Sequence, residues 1–523
     1  MYLFSLLIVF LVALLGSLGI RWLLVYLNQG WFSRGYAGDS SVHLEIVEQM
    51  RRGFAKKRID RYVIPNTFSY PVFFHRICSL WPRSALLDRG YMPNLVIFAL
   101  SSGVFATYTF HFQTAYLEND SVLFTITVVS VFLISVSNLV FGGPAIAYMK
   151  LSARLLGRVS TGFYFLFLAA YVGYGDNAAL ILAIITGGVA FASSTFAAQA
   201  LLFSLPLLTL FLWSVEPVGI LLAALLFAYI ITKGHSNTSI YHMARYWRIY
   251  HRYVKNSPNQ AAALSAFISP GTIWNSLRNG DVKLLIRHTL SREPTRSLLF
   301  YPELSLLAAL FVLLALRENR IIDYWLYFAP ILSLIILYAL TSSRWLNFLG
   351  EGYRYLEYGL YFIAPFCIGL LILEVDSGTA LAVMLGVYCS IVIVFTLFQY
   401  RYFRYSSTED NLSRFLEALE LSPGAVVFPV SMRLGADLCA RTDCKSFWWQ
   451  PGGITDPAMY EHYIQDYPYL RRDWKPLAIE HGVTHIIADK EALSQMHGAY
   501  DFSQERKLLE DEYFVAYRVQ SLS

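Results

Sequence analysis

Apolar runs long enough to cross a lipid bilayer constrain this chain more than anything else in it. The first, "LFSLLIVFLVALLGSLGI", covers residues 3–20. A helix needs about 20 apolar residues to span the hydrocarbon core. Inside that core every backbone N–H and C=O must find its partner within the segment. Spans are expected at 3–26, 94–116, 121–141, 160–175, 178–194, 197–213, 216–233, 298–316, 321–341, 357–374 and 379–399. They predict a polytopic α-helical membrane protein of about 11 spans. The first run has no basic leader and is longer than a signal-peptide core, so it reads as a retained span. Composition agrees: 56% of the 523 residues are hydrophobic and only 15% are charged, against about 25% in soluble domains. A net charge of +5 is small for this length, and no nucleic-acid partner is expected.

Polar stretches divide the chain into a transmembrane domain, 1–399, and a soluble tail, 400–523. The first holds two long loops, 29–93 and 234–297, and a short amphipathic stretch, 142–159. An odd number of spans puts both long loops, the loop 342–356 and the tail on one side of the membrane. Their Lys and Arg content favours the cytoplasm by the positive-inside rule. That rule weakens for long loops, and the chemistry those loops carry, described below, favours the outside, so they are read as external. The tail reads as a small α/β domain. Strands are expected at 424–430, 484–490 and 512–519, and helices at 456–467 and 474–482. Among the five cysteines, Cys78, Cys367 and Cys389 read as packing residues. Cys439 and Cys444 lie close enough in sequence to pair if the tail meets an oxidising compartment. No CxxC or Cys/His metal spacing occurs.

Chemistry-bearing residues gather in three places. In "RGYAGDSSVHLEIVEQMRRG" (34–53), Asp39 follows Gly38 and opens a helix on which His43 shares its face. Asp39 has two readings there, an N-cap and a working carboxylate. Val42, Ile46 and Met50 line one face, which predicts a helix lying along the membrane surface. In "NTFSYPVFFHRICSLWP" (66–82), Pro71 suits the start of a second helix, with Tyr70, Phe74 and His75 beside it. In "SSRWLNFLGEGYRYLEYGLYFIAPF" (342–366), Arg344 and Arg354 sit at a membrane edge. A guanidinium there either grips a phosphate bidentately or snorkels to headgroups. Glu351 and Glu357 are placed to orient Arg354. Tyr241, Arg245, Arg248 and Arg252 share a face in 235–256, as an interfacial helix or a substrate contact. Lys150, Arg154 and Arg158 carry the same two readings.

The elements "DSSVHL", "YPVFFH" and "GEGYRYLEY", in that order and at these places in the topology, resemble the GT-C class of integral membrane glycosyltransferases. The resemblance implies a polyprenyl-phosphate-linked sugar donor at the outer leaflet of the cell inner (plasma) membrane. It implies transfer to a lipid, glycan or protein acceptor, usually with inversion. It assigns Asp39 as general base, and His43, Tyr70, His75, Arg344, Glu351, Arg354 and Tyr355 to substrate binding. Some GT-C branches have paired acids in the first loop that hold a divalent cation. Here Ser40 and Ser41 follow Asp39, so no metal ligand is assigned, and assistance by Mg or Mn through remote acids stays open. Two other classes compete. A lipid-linked glycan transporter needs polar residues inside its spans, and these spans are poor in them. A polysaccharide polymerase or ligase would use the external arginines without needing Asp39.

Overall fold

The computed structural model describes residues 2–27, 39–53, 60–64, 70–116, 151–249, 267–285, 302–315, 325–343, 345–346, 349–373, 386, 388, 390, 411–430, 434–448, 462–466, 469–470, 472–496 and 500–520. The expected span 121–141 lies outside them, as does 379–399 apart from three positions. The other expected spans fall on helices.

α1 (Tyr2–Leu27) leads to three first-loop helices, α2 (Asp39–Arg51), α3 (Phe73–Cys78) and α4 (Arg83–Arg89). The helical body continues as α5 (Met92–Tyr116), α6 (Arg154–Tyr174), α7 (Asn177–Ser193), α8 (Thr195–Leu212) and α9 (Glu216–Ile231). Then come α10 (His235–Ile249), α11 (Pro270–Arg278), α12 (Pro302–Ala315), α13 (Trp325–Thr341) and α14 (Tyr353–Leu373). Among the described residues, four helices are long and apolar enough to cross a membrane, or five if α9 and α10, bent by 113°, form one span.

α6 is the axis of the body, with every residue from Leu155 to Ala170 buried. Its Phe163 ring stacks on Phe362 of α14 at 4.2 Å, and Phe105 of α5 stacks on the same ring at 4.9 Å. Close helix approach needs missing side chains. A Cβ on Gly359 would lie 2.0 Å from Leu334 Cδ1 of α13. α6 ends at Gly175 in the left-handed conformation, φ +65°, a common helix stop. Asp176 then caps α7 by accepting from the Ala178 N–H at 2.8 Å, so the chain reverses in two residues.

The tail contributes α15 (Asn411–Leu419), β1 (Val426–Val430), α16 (Leu434–Arg441), β2 (Lys445–Ser446), β3 (Ile464–Asp466), β4 (Tyr469–Leu470), α17 (Trp474–Glu480), β5 (His485–Asp489), α18 (Lys490–Gln495), β6 (Arg506–Glu510) and β7 (Phe514–Arg518). The main sheet runs β2-β1-β5-β7-β6. β2, β1 and β5 are parallel, and β7 and β6 are antiparallel. The strands expected at 424–430, 484–490 and 512–519 are present, and the helix at 474–482 is α17. The helix expected over 456–467 is corrected at its end. Ile464–Asp466 is a strand paired with Tyr469–Leu470, because β-pairing satisfies backbone groups that local helical spacing left undecided.

One further expectation changes. Of the stretch 142–159, residues 154–159 are not amphipathic but form the first turns of buried α6. Cys439 and Cys444 are both buried, the Cys439 thiol lying 3.9 Å from the Cys444 carbonyl oxygen.

Candidate functional site

One end of the helical body collects the carboxyl ends of α7 and α9, the amino ends of α6, α8, α10 and α14, and the loop after α13. Amino ends of helices carry partial positive charge, which suits anions. The first-loop helices cover this end. Arg76 of α3 donates to the Ile231 carbonyl at the end of α9 at 3.1 Å. His235 Nε2, opening α10, donates to the Tyr70 carbonyl at 2.9 Å.

α2 does not lie along a membrane surface. Ser40 through Val47 are all buried, because the helix is sandwiched between the body and the tail. Val42 and Ile46 pack with Ala436 and Cys439 of α16, together with Tyr62 and Val72. Leu44 and Val47 pack the other way, with Phe74 and Cys78 of α3 and Leu156 of α6. The amphipathic pattern therefore faces protein on both sides. Asp39 is the first residue of α2, and its side chain lies outside the described atoms.

The histidines of the two first-loop motifs meet. His43 Nδ1 and His75 Nε2 are 2.8 Å apart, and His75 Nδ1 is 3.0 Å from the Pro71 carbonyl oxygen. That carbonyl can only accept, so His75 carries its proton on Nδ1 and His43 donates from Nδ1 to His75 Nε2. This tautomer puts the His43 lone pair on Nε2. Burial pushes His75 well below the ordinary imidazole value, and the neighbouring His43 adds to the shift, against the bond to Pro71. His75 is therefore neutral at pH 7. The Tyr70 ring stands edge-on to both imidazoles, at 5.5 Å from each.

The third motif forms its own group. Glu351 pairs with Arg354, and the Tyr353 hydroxyl donates to Glu351 at 2.7 Å. Arg354 lies over the Phe196 ring of α8 at 4.1 Å, a cation–π contact that also fixes the plane of the guanidinium. Burial alone would raise the Glu351 carboxyl. Arg354 foremost, then Tyr353 and Arg154, outweigh it and hold the group below its ordinary value. Tyr355 is buried, and its hydroxyl donates to the Leu349 carbonyl at 3.1 Å, which braces the loop. Glu357 has a second arginine besides Arg354, whose charge also acts on its carboxyl. It pairs with Arg158 inside the bundle, because α6 and α14 approach closely where Gly157 lies against Tyr358. Arg344 lies outside the described residues. Arg245 stacks over Tyr241 at 5.8 Å on α10, and Arg252 lies outside.

The amino end of α6 links the groups. Ala153 and Leu156 pack with the first-loop helices, while the Arg154 charge acts on Glu351. Sequence reasoning missed Phe196, the partner of Arg354, and the hold of the tail on α2. Neither had a local signal, since each joins segments far apart in sequence. Among the described residues no group of three or more His, Cys, Asp or Glu is placed to hold a metal ion.

No protein-family model and no curated protein matches the sequence. Solved structures do match. One is ArnT from Cupriavidus metallidurans bound to undecaprenyl phosphate. It is 11% identical, with TM-score 0.54, over 99% of this chain and 98% of that one. Another is the archaeal oligosaccharyltransferase AglB from Archaeoglobus fulgidus, in complex with an inhibitory peptide and a dolichol-phosphate. It is 12% identical, with TM-score 0.50, over 94% of this chain and 70% of that one. AglB tethered to an acceptor peptide containing the NVT sequon aligns at TM-score 0.51 and 11% identity, over 98% and 74%. The chain has the GT-C fold.

Proposed function

We propose that this chain is a membrane glycosyltransferase. It moves a sugar from a polyprenyl-phosphate-linked donor to a hydroxyl of a lipid, glycan or protein acceptor, with inversion, at the outer face of the inner (plasma) membrane. The observation that carries the reading is convergence. The Asp39–His43 helix, the Tyr70–His75 segment and the Glu351–Arg354 loop come to one end of a body that shares its fold with a protein solved with undecaprenyl phosphate bound.

The acceptor oxygen attacks the anomeric carbon as the bond to the phosphate oxygen breaks. Asp39 takes the hydroxyl proton, which requires it to lie within hydrogen-bond reach of that proton. The leaving polyprenyl phosphate gains negative charge, and Arg354, with Arg344, meets it. Glu351 and Phe196 hold the Arg354 fork in one orientation, so little order has to be imposed when phosphate arrives. His43 and His75 are buried and, packed edge-on against Tyr70, brace α2 against α3 beside the substrate. Tyr355 steadies the loop that presents Arg354.

The test is transfer in proteoliposomes supplied with polyprenyl-phosphate-linked sugars. Asp39→Asn is expected to abolish transfer while donor binding persists, and wild-type turnover by this variant would refute the base assignment. Orientation is read separately, by labelling cysteines placed at the exposed positions Arg52 and Lys507 with an impermeant thiol reagent in whole cells. Labelling only after lysis would refute the outer-face reading.

A further inference from the structure

The first loop and the tail are joined far more intimately than a lid and its site would need. Segment 60–64 extends the tail's sheet beyond β2. Tyr62 bridges Ser446 in parallel register. The Ser446 N–H donates to the Arg61 carbonyl at 2.9 Å, Val63 to Ser446 at 2.9 Å, and Ile64 to Phe447 at 3.0 Å. Two first-loop arginines bind the carboxyl end of α16. Arg61 donates to the carbonyls of Cys439 and Thr442, and Arg83 to that of Ala440 at 3.2 Å. The last turn of a helix leaves such carbonyls without partners and carries partial negative charge. The same Arg61 guanidinium reaches Glu45 of α2 at 3.2 Å and Asp443 at 3.6 Å. One turn earlier on α2, Ser41 bonds to Asp437 of α16.

We propose that Arg61 is a positioning residue for the transfer reaction, pinning α2 to the tail so that the tail domain sets the position of Asp39. This rests on the glycosyltransferase reading. Arg61 binds α2 and the end of α16 with a single rigid group, reaching Glu45 at 3.2 Å and two carbonyls, and it does so more closely than Arg83, whose guanidinium lies 3.9 Å from Glu48 of α2. A lysine keeps the charge but not the fork that spans Glu45 and both carbonyls. Asp39 sits at the open amino end of α2, where a small tilt of the helix moves it most. Misplacing a reacting group by about 1 Å costs about 100-fold in rate. The tail, on this view, is part of the frame that aims the base.

The experiment uses the full chain in nanodiscs, with Arg61→Ala, Arg61→Lys and, as a control on the far side of the tail, Lys490→Ala. Hydrogen exchange of peptides covering 39–51 reports whether α2 is held. Steady-state transfer reports kcat and donor KM. Arg61→Ala is expected to speed α2 exchange, and to lower kcat by about 10–100-fold with donor KM little changed. Arg61→Lys should fall between, and Lys490→Ala should match wild type. Unchanged α2 exchange overturns the proposal, as does faster exchange with unchanged kcat. If Arg61→Ala fails to fold, Arg61→Lys decides by the same two readouts. Should Asp39→Asn retain activity, the base assignment falls, while the exchange data still decide whether Arg61 holds α2.

Discussion

Changing Glu357 to Gln removes the carboxylate that faces a guanidinium sealed inside the helix bundle. Arg158 is 0% exposed and Glu357 2%, so water cannot compensate for the loss. Breaking a buried pair by deleting one partner costs about 3–5 kcal/mol, because the other charge stays behind. Replacing both with apolar residues of similar volume is often neutral, or stabilises by about 1–4 kcal/mol. Arg158→Met with Glu357→Leu should therefore recover most of what Glu357→Gln loses. A domain of 150–250 residues shifts its Tm by about 2–4 °C per kcal/mol. At the lower slope, fitting for a larger body, the single substitution should lower Tm by about 6–10 °C. The double variant should sit within a few degrees of wild type. Unfolding in nanodiscs, followed by intrinsic tryptophan fluorescence, measures both. Equal losses in the single and double variants would refute the reasoning, since the cost would then belong to packing and not to a stranded charge.

Three other outcomes follow from the geometry. His75 is held neutral, with its folded value below the unfolded one of about 6.5. The unfolded chain therefore binds the extra proton as pH falls, so this contribution to stability is full above about pH 6.5 and is lost below it. Tm should drop between pH 7 and 5, less steeply in His75→Gln, and an unchanged slope would remove His75 as the cause. Arg354→Lys keeps the charge but not the fork, and kcat/KM for the lipid-linked donor should fall about 10–100-fold, the worth of a charged hydrogen bond; an unaltered kcat/KM would exclude phosphate recognition by Arg354. A Cβ on Gly435 would lie 2.4 Å from the Trp448 carbonyl oxygen and 2.6 Å from Ser446 Oγ. Gly435→Ala should thus cost about 1–3 kcal/mol, read as a lower unfolding temperature of the tail, and wild-type stability would contradict that packing.

Much of this molecule is legible in its sequence for a simple reason. Apolar length specifies helices in a bilayer, and each expected span within the described residues coincides with one. The three motifs were readable because each is local, and their order along the chain already implied a shared end. What sits against each motif was not readable. Val42, Ile46 and Met50 announce an apolar face but not its cover, so membrane and protein look alike from the pattern. Glu357 lies three positions from Arg354, yet its partner is Arg158 on another helix, and no spacing rule reaches that far. Strand Ile464–Asp466 was hidden because its pairing with Tyr469–Leu470 outweighs the local helical signal.

The clasp between the first loop and α16 also sets an order of events. Ser41 and Asp437, bonded in the finished protein, are separated by 396 residues. At about 5–20 residues per second of synthesis, α2 emerges some 20–80 s before its partner exists. During that interval its Val42–Ile46 face is bare and the Glu45 carboxyl has no α16 end beside it. The site cannot be assembled until the last fifth of the chain has followed the first loop to the same side of the membrane. A chain cut short before α16 would keep every motif and every span before it, and still leave the helix that bears Asp39 without half its socket.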